Sequence, residues 1–196
     1  MPVNRSVPDV AEKRKNWNGL ISGFRASDLV FLDESGCNTD MTRRYAYSLG
    51  GSRAIDSAPL SKPKNTTILS SIQLDGTLRY TTFSGGTTVE KFKRYLETDL
   101  LPHLNGNSVL ITDNMKSHHA KAVKNLLDSS GVRYIYLPPY SPDLNPIEKL
   151  WSKVKALLRK FKARTLDALP NAIQNAFHSV TVSDCSGWFR FCGYVL

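Results

Sequence analysis

Cysteine is scarce in this chain. Cys37, Cys185 and Cys192 are the only three, an odd number with no Cys-x-x-Cys pair. Neither a disulfide framework nor a zinc knuckle is made from such a set, and a reducing cytoplasm suits it best. Long apolar runs are missing as well. No stretch approaches the ~18 consecutive apolar residues of a membrane-spanning helix, and residues 1–25 lack the apolar core of a signal peptide. No internal repeat or low-complexity segment is present, which argues against a repeat architecture. Negative charge is also in short supply: 17 Asp and Glu stand against 26 Lys and Arg, for a net charge of +9. Such an excess favours a phosphate backbone or an anionic membrane surface as partner, and charge alone does not choose between them.

The 196 residues fit one domain with a sizeable core. Residues 1–25 are polar and basic and read as a linker or arm, with a short helix suggested by the spacing of Val10, Arg14 and Trp17. The domain proper would span 26–196. Leu29-Val30-Phe31-Leu32 is a buried strand closed by Asp33. Residues 35–64 form a basic, loop-rich insertion carrying Arg43, Arg44 and Tyr45. Two β-rich runs, 66–74 and 77–83, flank Asp75-Gly76, the signature of a type I′ hairpin. Thr87 or Thr88 caps a helix built on Val89, Phe92, Leu96 and Leu100. A strand over 108–113, a helix over 117–129 and a strand over 132–137 make a βαβ unit, so those two strands should be parallel. Four prolines exclude helix and central strand from 138–146. An amphipathic helix follows to about Phe161, then another near 166–179 and an aromatic tail that packs on the body. The fold class is therefore α/β, a mixed sheet of three antiparallel strands followed by parallel ones, with helices on both faces.

The few acids are not scattered. Asp33 and Asp113 each end an apolar strand, where open α/β sheets place their sites. Glu148 falls in the first turn of the helix from Pro146, and 34 residues separate it from Asp113. Asn145 and Glu148 have capping-box spacing, so the glutamate could simply reach back to its own cap. The alternative is convergence with the two aspartates. Three carboxylates brought to one point repel each other unless cations neutralise them. Magnesium takes oxygen ligands, and a pair of such ions serves in-line phosphoryl displacement.

Leu32-Asp33-Glu34-Ser35-Gly36, Thr112-Asp113-Asn114 with Ser117-His118, and the run from Leu137 through Ser141-Pro142-Asp143-Leu144-Asn145-Pro146-Ile147-Glu148 resemble the signature blocks of mariner-superfamily transposases, the bacterial insertion-sequence branch above all. The resemblance covers about residues 28–194. It implies an RNase H-like fold and an Asp-Asp-Glu triad at Asp33, Asp113 and Glu148. It further implies two Mg²⁺ or Mn²⁺ ions, cleavage of double-stranded DNA at transposon ends, and joining of the 3′-hydroxyl to target DNA, with TA as target and a homodimer in the synaptic complex. Family members carry helix-turn-helix modules ahead of the catalytic domain. This chain has no room for them, so a separately encoded or frameshift-joined subunit is expected to supply end recognition.

Other residues are weighed against plainer roles. Strand alternation points Glu34 away from Asp33, and Asp143 precedes the helix, so both read as structural or solvated. Asn114 either orients a metal-bound water or makes a turn. His118 is a candidate DNA contact, and His119 a surface residue. Lys149 and Lys153 lie on a face that is either solvated or phosphate-binding. Arg43 and Arg44 are comparable candidates for flanking DNA, and Trp151 reads as core. Two other function classes remain open: an inactive DNA-binding remnant or regulator, and an RNase H-like structure-specific nuclease.

Overall fold

The computed structural model describes residues 8–43, 45–57 and 64–194. Helix α1 (Pro8–Ile21) comes first in the chain. A five-stranded sheet then organises the domain: β1 (Leu29–Cys37), β2 (Thr66–Ile72), β3 (Leu78–Ser84), β4 (Val109–Thr112) and β5 (Arg133–Tyr136), in the spatial order β3-β2-β1-β4-β5. β1–β2 and β2–β3 are antiparallel, while β1–β4 and β4–β5 are parallel. The mixed sheet expected from the order of elements is the one observed.

Because side chains alternate along a strand, each face of the sheet needs its own cover. Phe31, Ile68, Ile72, Val109 and Ile111 look toward α1 and toward α4 (Ile147–Phe161), α5 (Ala168–His178) and α6 (Val182–Phe191). Val30, Leu32, Leu69 and Leu110 look the other way, toward α2 (Val89–Tyr95), its wide-turn extension Leu96–Leu100, and α3 (Lys121–Ser130). Asp33 continues the series of Phe31, and Glu34 that of Leu32. The two neighbouring acids are thereby delivered to opposite faces.

Several boundaries depart from the sequence reading. β1 runs past Asp33 to Cys37, because the antiparallel register with β2 continues as far as Cys37↔Thr66. The hairpin is not a type I′ turn centred on Asp75-Gly76, which would need a positive φ at both: Gly76 has one, 89°, and Asp75 does not. The Gln73 carbonyl accepts from the Gly76 amide at 3.2 Å, so a turn closed by a left-handed glycine makes the connection. α3 starts at Lys121 rather than 117, since residues 116–119 are spent on a turn that buries His118. The basic arm is, from Pro8 onward, a packed helix: Trp17 is 2% exposed, and its indole N–H donates to the Tyr194 hydroxyl at 3.2 Å. The aromatic tail is helix α6, opened by a capping box between Thr181 and Asp184, with Phe189 edge-on to Phe31 at 5.4 Å. The described part of the insertion beyond Cys37 holds no strand. Its base is gathered by Arg164, which donates to the carbonyls of Thr39, Met41 and Ser57. Among the described residues no helix is long and apolar enough to cross a membrane.

Candidate active site

Parallel pairing of β1 with β4 sets Leu32 beside Thr112. The next residue after each is an aspartate, so Asp33, midway along β1, and Asp113, just past the end of β4, emerge side by side. The proline segment then crosses the same end of the sheet, tightens into a turn over Pro142–Leu144 and launches α4. Glu148 sits in the first turn of that helix. All three carboxylates line one cleft of about 490 Å³.

Glu148 does not form the capping box that its spacing allowed. No side chain caps α4; instead the Glu148 amide donates to the Asn145 carbonyl at 3.1 Å. The carboxylate is left facing the cleft rather than its own backbone.

Asp33 is the most enclosed of the three, only 8% exposed. The Glu34 amide donates to its Oδ1 at 2.8 Å, and the Trp151 indole N–H donates to Oδ2 at 3.1 Å. Burial first, and then the charge on Asp113 with a further push from Glu148, raises its pKa to about 7 despite those two donors. Glu148 is also raised, by burial and by Asp113, with Lys155 opposing. Asp113 behaves differently. Burial would raise it, but His118 and the Met115 amide hold it below the ordinary carboxylate range. Three acids in one cleft thus have unequal affinities for a proton, and perturbed groups of this kind gather at functional sites.

His118 is the largest revision. Weighed from the sequence as a candidate DNA contact, it has a fully buried side chain that presents no ring atom at the surface. Its ring stacks on Phe92 at 4.1 Å, Nδ1 lies 2.8 Å from Asp113 Oδ1, and Nε2 lies 3.3 Å from Glu34 Oε2. The last contact is close enough for charge attraction but is not aligned as a hydrogen bond. Burial alone would lower the imidazole pKa; contact with Asp113 and Glu34 outweighs it and holds the value near 9. Glu34, pointed away from Asp33 as expected, therefore supports the site from behind the sheet.

Asn114 lines the cleft while its amide donates to the Leu137 carbonyl, pinning the end of β4 to the start of the proline segment. His119 stacks on Tyr136 at 4.0 Å. Of the basic candidates, Arg43 is exposed, and Arg44 lies outside the described residues. Lys149 lies over the Phe191 ring at 3.7 Å, and Lys153 is paired with Asp184. Both lysines thus have partners within the chain. What the sequence did not disclose is the supporting cast: the indole N–H of Trp151, the Glu34–His118 pair, and Arg14, which reaches Ser141 and Asp143 from α1. Only helical spacing at Val10, Arg14 and Trp17 hinted at the last.

Among the described residues, no group of three or more His, Cys, Asp or Glu side chains is placed to hold a metal ion. The donor set nevertheless suits a hard ion that keeps water and takes one or two carboxylates at a time.

Comparison with known proteins follows the same lines. Residues 28–170 match the family model described as DDE superfamily endonuclease. Over 97 residues the chain is 29% identical to the transposable element Tc1 transposase of Caenorhabditis elegans, covering 47% of this chain and 36% of that protein. The fold matches the Mos1 pre-cleavage transpososome with a TM-score of 0.79 at 20% identity, over 97% of this chain and 63% of that one. It matches the Mos1 mariner paired-end complex with Mn at 0.78 and 20% identity, over 94% and 59%. The isolated catalytic domain of Mos1 mariner transposase gives 0.67 at 16% identity, over 93% and 84%. The sheet with helices on both faces is thus the RNase H-like fold of that catalytic domain. The chain spans about a third of Tc1 transposase and under two thirds of the Mos1 chain in the pre-cleavage transpososome.

Proposed function

The chain belongs to the DDE superfamily endonuclease family, and on that footing we propose that it is the catalytic domain of a mariner-type transposase of the bacterial insertion-sequence branch. It cuts DNA at transposon ends and joins the freed 3′-hydroxyl to target DNA at TA. The observation that carries this reading is the meeting of Asp33, Asp113 and Glu148, from three distant segments, in one cleft of a strongly cationic protein.

The same three carboxylates would hold two Mg²⁺ or Mn²⁺ ions. Asp33, its pKa lifted first by burial and then by the charge of Asp113, is a group that a bound cation would stabilise in its ionised form. Bound metal supplies activation of the attacking oxygen and stabilisation of the leaving oxygen. The chain's own contribution is placement. Trp151 and the Glu34 amide aim Asp33, His118 and the Met115 amide aim Asp113, and the start of α4 presents Glu148. A homodimer on paired ends, with a helix-turn-helix partner for end recognition, belongs to the same proposal.

Supercoiled plasmid with Mn²⁺ is the test. Asp33→Asn, Asp113→Asn and Glu148→Gln should each reduce nicking and joining by at least about a hundredfold. Parental rates in all three would remove the reading. Salt-dependent DNA binding without any cleavage would favour an inactive remnant, and preference for RNA–DNA hybrids or junctions a different nuclease.

A further inference from the structure

The cleft has two chemistries. Carboxylates occupy one part of its lining, and Met115, Leu137, Pro138, Pro139, Tyr140 and Pro142 supply an apolar remainder. A site for phosphate and cation alone would have no use for that apolar surface. A nucleotide joins both kinds of group: a phosphodiester, and a flat base whose faces stack on aromatic rings.

Tyr140 stands out within this lining. Its φ is 56°, the left-handed region, and it shares that state with only one other non-glycine residue among those described, Lys162. Glycine or asparagine would adopt this conformation with less steric penalty. The turn is braced from both sides. The Ser141 hydroxyl donates to the Pro139 carbonyl at 3.1 Å, and the Arg14 guanidinium donates to that same hydroxyl oxygen while holding Asp143 at 2.6 Å. Further along, the Tyr194 hydroxyl donates to the Leu144 carbonyl at 2.6 Å. Helix α1 and the chain's last described residue thus both grip the segment. What the brace delivers is an aromatic ring 53% exposed at the cleft that holds Asp33, Asp113 and Glu148. Strain that the surroundings hold in place, at a rim next to proposed chemistry, is the kind retained for a ligand.

We infer that Tyr140 is a stacking platform for the nucleobase adjoining the phosphodiester held by the three carboxylates. The inference rests on the DNA-cutting reading, yet its signal is binding and does not require cleavage.

The probe is a short duplex with a 3′ overhang carrying 2-aminopurine at its terminal positions, titrated with the protein in Ca²⁺. Stacking on the tyrosine quenches the fluorophore. Tyr140→Phe keeps the ring and should keep the quench. Tyr140→Asn keeps the turn without the ring; it should lose the quench and bind the overhang at least about fivefold more weakly. Its melting temperature should equal or exceed the parent's, because asparagine accepts the left-handed state. Quench and affinity unchanged in Tyr140→Asn would overturn the platform, and so would a loss of binding that tracks a lowered melting temperature. A chain that never nicks plasmid, but whose quench depends on the ring as described, would refute the transposase reading and leave this site standing.

Discussion

Trp151 donates its indole N–H to Asp33 at 3.1 Å, tying the first turns of α4 to the middle of β1 across 118 positions of sequence. Glu148 lies one turn before Trp151 on the same helix, so this bond also fixes where Glu148 stands relative to Asp33. Trp151→Phe removes the donor and keeps most of the ring. Losing a hydrogen bond to a buried acid should lower stability by about 2 kcal/mol. The bond favours the carboxylate over the carboxylic acid, so its loss pushes the Asp33 pKa above 7. The pH profile of Mn²⁺-dependent nicking should shift to higher pH in the variant. An unchanged profile would mean that the contact is only packing.

The raised pKa of Asp33 carries a stability cost with a definite sign. In the folded, metal-free chain it titrates near 7 against an ordinary 3.8. The unfolded chain therefore loses that proton first, and stability falls as pH rises between those two values. At about pH 8 in chelator, Asp33→Asn should melt several degrees above the parent; at about pH 4 the gain should nearly vanish. Magnesium should raise the parent's melting temperature at the higher pH and do little at the lower, where protons compete for the ligand. Calorimetry across pH reads all of these.

His118 adds stability where Asp33 takes it away, though both effects make the fold weaker as pH rises. Its folded value near 9 exceeds the ordinary 6.5, so its contribution is complete below 6.5 and is lost as pH climbs through 9. Replacing it with phenylalanine leaves the Glu34 carboxylate, 11% exposed, facing no cation. Removing one partner of a buried pair costs about 3–5 kcal/mol. Replacing Glu34 as well, with leucine, should recover a substantial part of that loss. The urea midpoints of the two variants decide it: a double variant no more stable than His118→Phe would mean that the pair does not act as a unit.

How much of this was legible in the chain itself can be traced element by element. Strand periodicity placed Asp33 and Glu34 on opposite faces, because alternation is local geometry that sequence records, whereas Asp113 came beside Asp33 only through the order of elements in a mixed sheet, which the β1–β4 pairing realises. Asn145 and Glu148 show the limit of such rules. The spacing for a capping box is present, yet the packed proline segment sets the backbone so that the box does not form. His118 shows another. A histidine after a strand-end aspartate looks like a surface contact until the turn over 116–119 folds it under the sheet against Phe92 and Glu34. Long-range partners such as Trp151–Asp33 or Arg14–Asp143 have no local signature at all. Helix α6 did have one, Thr181 followed by Asp184, which the aromatic composition of the tail obscured.

The clamp of α1 on the proline segment gives the last prediction. Arg14 meets Asp143 at 2.6 Å with both side chains partly exposed, so the pair alone should be worth no more than about 1 kcal/mol. Its effect on catalysis should be larger than that. Asp143 lies five residues before Glu148, and a small rotation of the segment displaces a carboxylate whose position must hold to a fraction of an ångström. Arg14→Ala should therefore shift the urea midpoint only slightly while slowing Mn²⁺-dependent nicking about tenfold or more. Arg14→Lys retains the charge but loses the fork that engages both Ser141 and Asp143, and should recover the rate only in part. Exchanging the two residues, Arg14→Asp with Asp143→Arg, should restore more activity than either single change leaves. Equal losses of stability and rate in Arg14→Ala would reduce the clamp to ordinary packing, and α1 would then be a structural helix with no hold on Glu148.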